Sequence, residues 1–264
     1  HVPGSAFVPP QGGLRDVLTN RAVDQLLAMT KNGGEYKALS SIIDERAVVN
    51  GMIGLMSTGG STNHTIHLVA IARAAGIQID WNDFSDLSEV VPLIAKVYPN
   101  GQADINQFHA VGGVGSVIRE LLSAGLLHED VETVSGKGLG AYAQEPYLQD
   151  EVLTWRDAPA AGDQAEIIST VAAPFRDKGG IKLLSGNLGR AVTKVSAVDP
   201  ANWVIEAECR IFDSQEAAQD SFKAGELDHD VVLVVRFQGP KANGMPELHK
   251  LMPMLGVLQD RGHR

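Results

Sequence analysis

The stretch Met56-Ser57-Thr58-Gly59-Gly60-Ser61-Thr62-Asn63-His64 sets a glycine pair and a run of hydroxyl and amide side chains directly before an apolar segment. Glycine reaches positive φ without steric cost, so Gly59 and Gly60 allow a tight reversal, and Ser61, Thr62 or Asn63 can each cap a following helix. That helix is expected over Thr65-Ile66-His67-Leu68-Val69-Ala70-Ile71-Ala72-Arg73-Ala74-Ala75, closed by Gly76. Its apolar residues on nearly every side predict burial. Uncommitted N–H groups and the positive end of the helix dipole make Gly60, Ser61, Thr62, Asn63 and His64 a candidate site for a phosphate or carboxylate. The same residues also suit a capped core helix after a tight turn, with no ligand.

On the N-terminal side, Leu14, Val17, Leu18, Ala22, Val23, Leu26 and Leu27 recur at helical spacing, and Asn32-Gly33-Gly34 ends that helix. A second helix is expected from Ser40 to Met56, with Ile42, Ile43, Val48, Val49, Ile53 and Leu55 as core candidates. Buried helices therefore flank the turn. On its C-terminal side, residues 81–88 predict a turn and cap before a short helix from Glu89 to Val97, stopped by Tyr98-Pro99-Asn100-Gly101. Gly112 and Gly113 repeat the glycine-to-helix pattern ahead of Val117-Ile118-Arg119-Glu120-Leu121-Leu122.

The periodicity fades between Gly136 and Gly162, and strand patterns follow it. Residues 181–184 and 191–195 predict two strands around a turn at 185–189, and 203–207 a third. Helix Glu216 to Ala224 leads to Asp230-Val231-Val232-Leu233-Val234-Val235-Arg236-Phe237, whose β-branched run predicts a strand covered on both faces. The loop Gln238-Gly239-Pro240-Lys241-Ala242-Asn243-Gly244-Met245-Pro246-Glu247 then sets Pro246 and Glu247 at the first turn of a short helix. Glu247 suits a metal ligand, a base, or a carboxylate that simply favours its helix dipole.

The 264 residues suffice for two domains, and the 44% hydrophobic and 20% charged content is that of a globular chain. A net charge of −10 with scattered basic residues leaves no footprint for nucleic acid, and no apolar run approaches bilayer-spanning length. An acidic protein needs locally focused donors to hold an anion. The single Cys209 excludes an internal disulfide framework and a self-contained cysteine metal cage, fits a reducing cytoplasm, and reads as a small buried hydrophobe. His64 and His67 stand three apart on one helix without a third ligand in register, so no zinc site is assigned; His109 and His249 read as hydrogen-bonded structural histidines.

Taken together, Thr58-Gly59-Gly60-Ser61-Thr62-Asn63-His64, Leu184-Ser185-Gly186-Asn187-Leu188 and Gly239-Pro240-Lys241-Ala242-Asn243-Gly244-Met245-Pro246-Glu247-Leu248 resemble the dihydroxy-acid and sugar-acid dehydratase family. Residues 83–88, 98–106 and 246–251 bring the likeness closest to members acting on a phosphorylated sugar acid. The resemblance implies an α/β fold. Residues 1–165 would be the C-terminal part of an α/β dehydratase domain, and 166–264 the start of a β-barrel-like swivelling domain. The active site would lie between them and at a homodimer interface.

The implied reaction is loss of water from a 2,3-dihydroxy acid to give a 2-keto acid, here 6-phospho-D-gluconate to 2-dehydro-3-deoxy-6-phospho-D-gluconate in the Entner-Doudoroff pathway. Hydroxide leaves poorly, so the family uses an iron-sulfur cluster, 4Fe-4S, as Lewis acid, a serine base, and a magnesium or similar divalent cation on the carboxylate. Glu247 matches the cation-ligand position and the turn from Gly60 to His64 a substrate-side loop. The family's cluster cysteines belong before His1 and its serine motif beyond Arg264, so the chain is expected to be a fragment of the enzyme, inactive by itself. Cys209 matches no cluster position. Members acting on branched-chain acids carry a small apolar residue where His64 stands. The alternatives are a dehydratase of another 2,3-dihydroxy acid and a non-catalytic sugar-phosphate-binding protein.

Overall fold

Helix α1 (Leu14–Ala28) is followed by α2 (Glu45–Thr58), which Asp44 caps by accepting a hydrogen bond from the Ala47 amide at 2.8 Å. The described residues of this computed structural model are 1–239, Gly244 and 249–264. They form two compact units, His1–Ala197 and Val198–Arg264. The fold is α/β, combining helices with small sheets.

In the first unit, α2 leads into α3 (Thr62–Ala74), α4 (Trp81–Val90), α5 (Ile105–Ala110) and α6 (Gly113–Ser123). Between α4 and α5 runs an extended segment, residues 91–97, whose Val91, Leu93, Ile94 and Ala95 are all buried. Its amides and carbonyls are satisfied by neighbours on several sides. The Leu93 amide donates to the Arg176 carbonyl at 3.0 Å, that of Lys96 to Ile167 at 2.9 Å, and the Ile94 carbonyl accepts from the Ser169 amide at 2.8 Å. Around the segment the core gathers Met52, Leu55 and Met56 of α2, Leu68 and Ala72 of α3, Phe84 of α4 and Leu121 of α6. The strands are paired hairpins: β1 (Glu132–Thr133) with β2 (Gly136–Lys137), β3 (Gln144–Gln149) with β4 (Val152–Asp157), and β5 (Ile181–Gly186) with β6 (Gly189–Lys194).

The second unit is a β–α–β turn. Strand β7 (Glu208–Phe212) runs parallel to β8 (Val231–Val235) with α7 (Gln215–Lys223) between them, and a final helix, α8 (Met252–Asp260), follows. Ala218, Leu227, Leu251, Met254 and Leu258 form its core. Among the described residues no sheet has more than two strands and none closes into a barrel. None of their helices is long and apolar enough to cross a membrane.

Several expectations need correction. The helix expected at 89–97 instead begins at Trp81, because Asp80 caps it in a box with Asp83, and it ends before Pro92, which has no N–H to donate. Helix α3 is not buried all round: Thr65, Leu68 and Ala72 face the core while Ile71 is 46% exposed. Helix α1 buries only Leu18, leaving Leu26 and Leu27 in solvent. The strand expected at 203–207 is irregular, and pairing begins at Glu208. Among the described residues strand β8 has one pairing partner and Val232 is 40% exposed, so its β-branched run is not covered on both faces by them. Cys209 is exposed for the same reason, lying in a two-stranded sheet with no second layer over its side chain among the described residues. The hairpin β3–β4 was not foreseen. Its tip is Asp150-Glu151, both at positive φ (49° and 65°), a conformation usually signalled by Asn-Gly.

Candidate functional site

The glycine turn is shorter than its sequence suggests, because α2 runs on through Thr58 and only Gly59, Gly60 and Ser61 connect it to α3. Gly59 adopts the left-handed conformation (φ 58°, ψ 42°) that terminates α2. The Gly59 amide donates to the Met56 carbonyl at 3.3 Å and the Gly60 amide to the Leu55 carbonyl at 3.0 Å. A side chain at either glycine would force neighbours to move: a Cβ on Gly59, which also sits at positive φ, would lie 2.6 Å from Asn100 Nδ2, and one on Gly60 2.7 Å from the end of the Leu55 side chain at Cδ1.

Of the three candidate caps, Ser61 fills the position, its hydroxyl accepting from the Asn63 amide at 3.1 Å while its carbonyl accepts from the His64 amide at 2.9 Å. Four backbone N–H groups of the turn are therefore committed to the protein itself. The side chains of Thr62, Asn63 and His64 remain uncommitted, making no hydrogen bond among the described residues, and project from the first turn of α3 near solvent. Burial lowers the pKa of His64, with the neighbouring His67 charge lowering it further. Near neutral pH the ring is a neutral donor and acceptor.

Asn100 holds the turn against the rest of the unit. Its Nδ2 donates to the Gly59 carbonyl at 2.6 Å, and the Ile94 and Ala95 amides donate to the Ser57 carbonyl at 2.8 Å and 3.0 Å. The extended segment thus holds the end of α2, and the corner that follows it holds the turn. In the sequence Asn100 is part of a helix stop and of the family likeness at 98–106, with no role for its side chain; the Pro-Asn-Gly corner that delivers it is the available signal. Lys96, also unforeseen, has its ammonium 4.5 Å from the centre of the Phe175 ring.

The remaining candidates fall elsewhere. His109 ends α5, where burial lowers its pKa against an opposing pull from Glu145. Glu247 lies outside the described residues, as do Pro240 to Asn243 and Met245 to Leu248. Among the described residues no three histidine, cysteine or acidic side chains converge as a metal site.

Comparison with known proteins agrees along nearly the whole chain. A family model described as dihydroxy-acid/6-phosphogluconate dehydratase N-terminal matches residues 1–142, and the corresponding C-terminal model matches 166–264. A phosphogluconate dehydratase of Pseudomonas aeruginosa is 56% identical over all of this chain and 43% of its own length. One of Escherichia coli is 59% identical over 98% of this chain and 43% of its own length. A dihydroxy-acid dehydratase of Caldanaerobacter subterraneus is 33% identical over 99% of this chain and 44% of its own length. The chain spans less than half the length of these curated relatives.

Proposed function

Since this chain belongs to the dihydroxy-acid/6-phosphogluconate dehydratase family, we propose that it forms part of a hydro-lyase converting 6-phospho-D-gluconate to 2-dehydro-3-deoxy-6-phospho-D-gluconate and water. The observation that carries the reading is the contrast in identity over nearly the same span, 56% and 59% to two phosphogluconate dehydratases against 33% to a dihydroxy-acid dehydratase. The setting would be the Entner-Doudoroff pathway in the cytoplasm, in a homodimer.

In this reading the turn from Gly60 to His64 holds an anionic end of the substrate. Support comes from the uncommitted side chains of Thr62, Asn63 and His64, set at the positive end of α3. Ser61 holds the helix start, and Gly59 with Asn100 fixes the angle at which the donors are presented. Glu247 would bind magnesium, for which a carboxylate oxygen is a suitable ligand. The described residues do not fit an iron-sulfur cluster, since one exposed thiol, Cys209, cannot ligate it. The cluster and the base would therefore be held by residues outside this chain, and no step is assigned to the cluster here. Residues 1–165 would belong to the α/β domain and 166–264 to the start of a swivelling barrel.

The test is an anaerobic assay of the natural full-length polypeptide for 2-keto acid formed from 6-phosphogluconate, gluconate and a branched-chain 2,3-dihydroxy acid. Preference for the phosphorylated acid is expected. Turnover of the branched-chain acid alone would overturn the substrate assignment, and binding of 6-phosphogluconate without any turnover would leave a sugar-phosphate-binding protein.

A further inference from the structure

Beyond the turn, the clamping segment borders a groove of about 570 Å³ bounded by the 98–103 corner, α5 and residues 164–167. Its lining combines one cation, Lys96, with the amide side chains of Asn100, Gln102, Gln107 and Gln164 and one carboxylate, Glu166. Among the described residues the side chains of Gln102 and Gln164 have no hydrogen-bond partner, and Gln107 spends only its Oε1, accepting from the Asp104 amide at 2.8 Å. Lys96 is half-buried and forms no ion pair among the described residues; its ammonium rests on the Phe175 ring alone. Lys37, Arg46, Arg156, Lys178 and Lys182 of the same unit, by contrast, face carboxylates.

A lone ammonium held by an aromatic face, beside several free amides, has the composition of a site for a ligand that is both charged and rich in hydroxyl groups. We propose that this groove binds an anionic polyhydroxylated small molecule, Lys96 pairing with its carboxylate or phosphate and the amides with its hydroxyls. The choice of a sugar acid as that molecule rests on the function proposed above. Glu166 accepts hydroxyl protons at the rim and opposes the anion weakly. Asn100 belongs to both places, its Nδ2 engaged with Gly59 while its residue lines the groove.

Equilibrium binding of 6-phosphogluconate, gluconate and glucitol 6-phosphate to the natural full-length polypeptide tests this, with Lys96→Gln, Lys96→Arg and Glu166→Gln variants. Lys96→Gln should raise Kd by roughly tenfold or more, the size of a charge-assisted hydrogen bond, and Lys96→Arg should recover most of it. Glu166→Gln should tighten binding by about two- to threefold, as for removal of one exposed like charge. A loss for both acids that spares glucitol 6-phosphate assigns Lys96 to the carboxylate; a loss for both phosphates that spares gluconate assigns it to the phosphate. Acetylation of amines in the unmutated protein, read by mass spectrometry, gives the same information without a variant that must fold: ligand should protect Lys96 and leave Lys31 and Lys137 reactive. Unchanged Kd for Lys96→Gln, or equal acetylation of Lys96 with and without ligand, overturns the groove. Normal turnover of 6-phosphogluconate with an insensitive Lys96 overturns the groove alone, and Lys96-dependent binding without turnover overturns the dehydratase reading alone.

Discussion

The side-chain amide of Asn100 donates to the backbone carbonyl of Gly59 at 2.6 Å across 41 residues of sequence, so the left-handed glycine that ends α2 is held by a corner that follows the buried extended segment. The contact is close enough that glycine is required at position 59 on two counts, backbone conformation and space.

Gly59→Ala should therefore destabilise the protein by about 2–4 kcal/mol, combining a positive-φ penalty of roughly 1 kcal/mol with the cost of overpacking. Asn100→Ala removes one of the colliding groups along with a hydrogen bond worth about 1 kcal/mol. The double variant should be less destabilised than the sum of the singles, which urea titration of the four proteins measures. Strict additivity would show that Asn100 does not constrain Gly59.

The tip of β3–β4 offers the opposite sign. Glu151 sits at φ 65°, where glycine is unstrained, so Glu151→Gly should stabilise by about 0.5–1 kcal/mol. A midpoint in urea that falls instead of rising would mean that the Glu151 side chain contributes more than its backbone costs.

Much of the first unit was legible because its signals are local. Gly59-Gly60 followed by Ser61 contains the turn and its cap, and Gly186 and Gly189 delimit the β5–β6 hairpin. The failures share a different cause. Residues 91–97 carry the same apolar residues a helix would, and only Pro92 and the distant partners Ile167, Ser169 and Arg176 make them extended. The β3–β4 turn uses Asp150-Glu151 without a glycine, so nothing local announced it. Cys209 looked buried because its neighbours are strand-like, whereas burial depends on a covering layer that sequence does not specify. For the same reason Thr62, Asn63 and His64 were readable as candidate donors, while the Asn100 clamp and the Lys96 groove needed tertiary structure.

His64 makes stability depend on pH. The unfolded side chain binds a proton near the ordinary value of about 6.5, and the folded one only at lower pH because burial and His67 oppose its charge. Below 6.5 the unfolded state thus holds more protons, so this contribution is fully present above that pH and is lost as pH falls towards the folded value. His64→Asn should flatten the decline in urea midpoint between about pH 7 and 5 relative to the unmutated protein. His67→Asn should flatten it partly. An unchanged profile in His64→Asn would place the titration elsewhere, with His109, whose pKa burial also lowers, as the next histidine to replace.

His64 also gives the sharpest functional prediction. Its amide is already bound to the Ser61 carbonyl at 2.9 Å, so any ligand contact must come from the ring, which has no hydrogen-bond partner among the described residues. In the proposed reading an acidic chain repels the anionic groups of the substrate at long range, and the start of α3 would offer short-range donors against that repulsion. If the ring serves the phosphate, His64→Ala in the natural full-length enzyme should lower kcat/KM for 6-phosphogluconate by the equivalent of about 1.5–3 kcal/mol while leaving gluconate nearly unaffected. Lowering the pH through the ring's titration should strengthen the phosphorylated substrate's advantage, because a protonated ring is the better donor. An equal loss on both acids would place the turn at the reacting end of the substrate, where both acids are alike. No loss on either would leave Ser61 and its helix as a structural cap, with anion recognition shifted to the Lys96 side of the clamp.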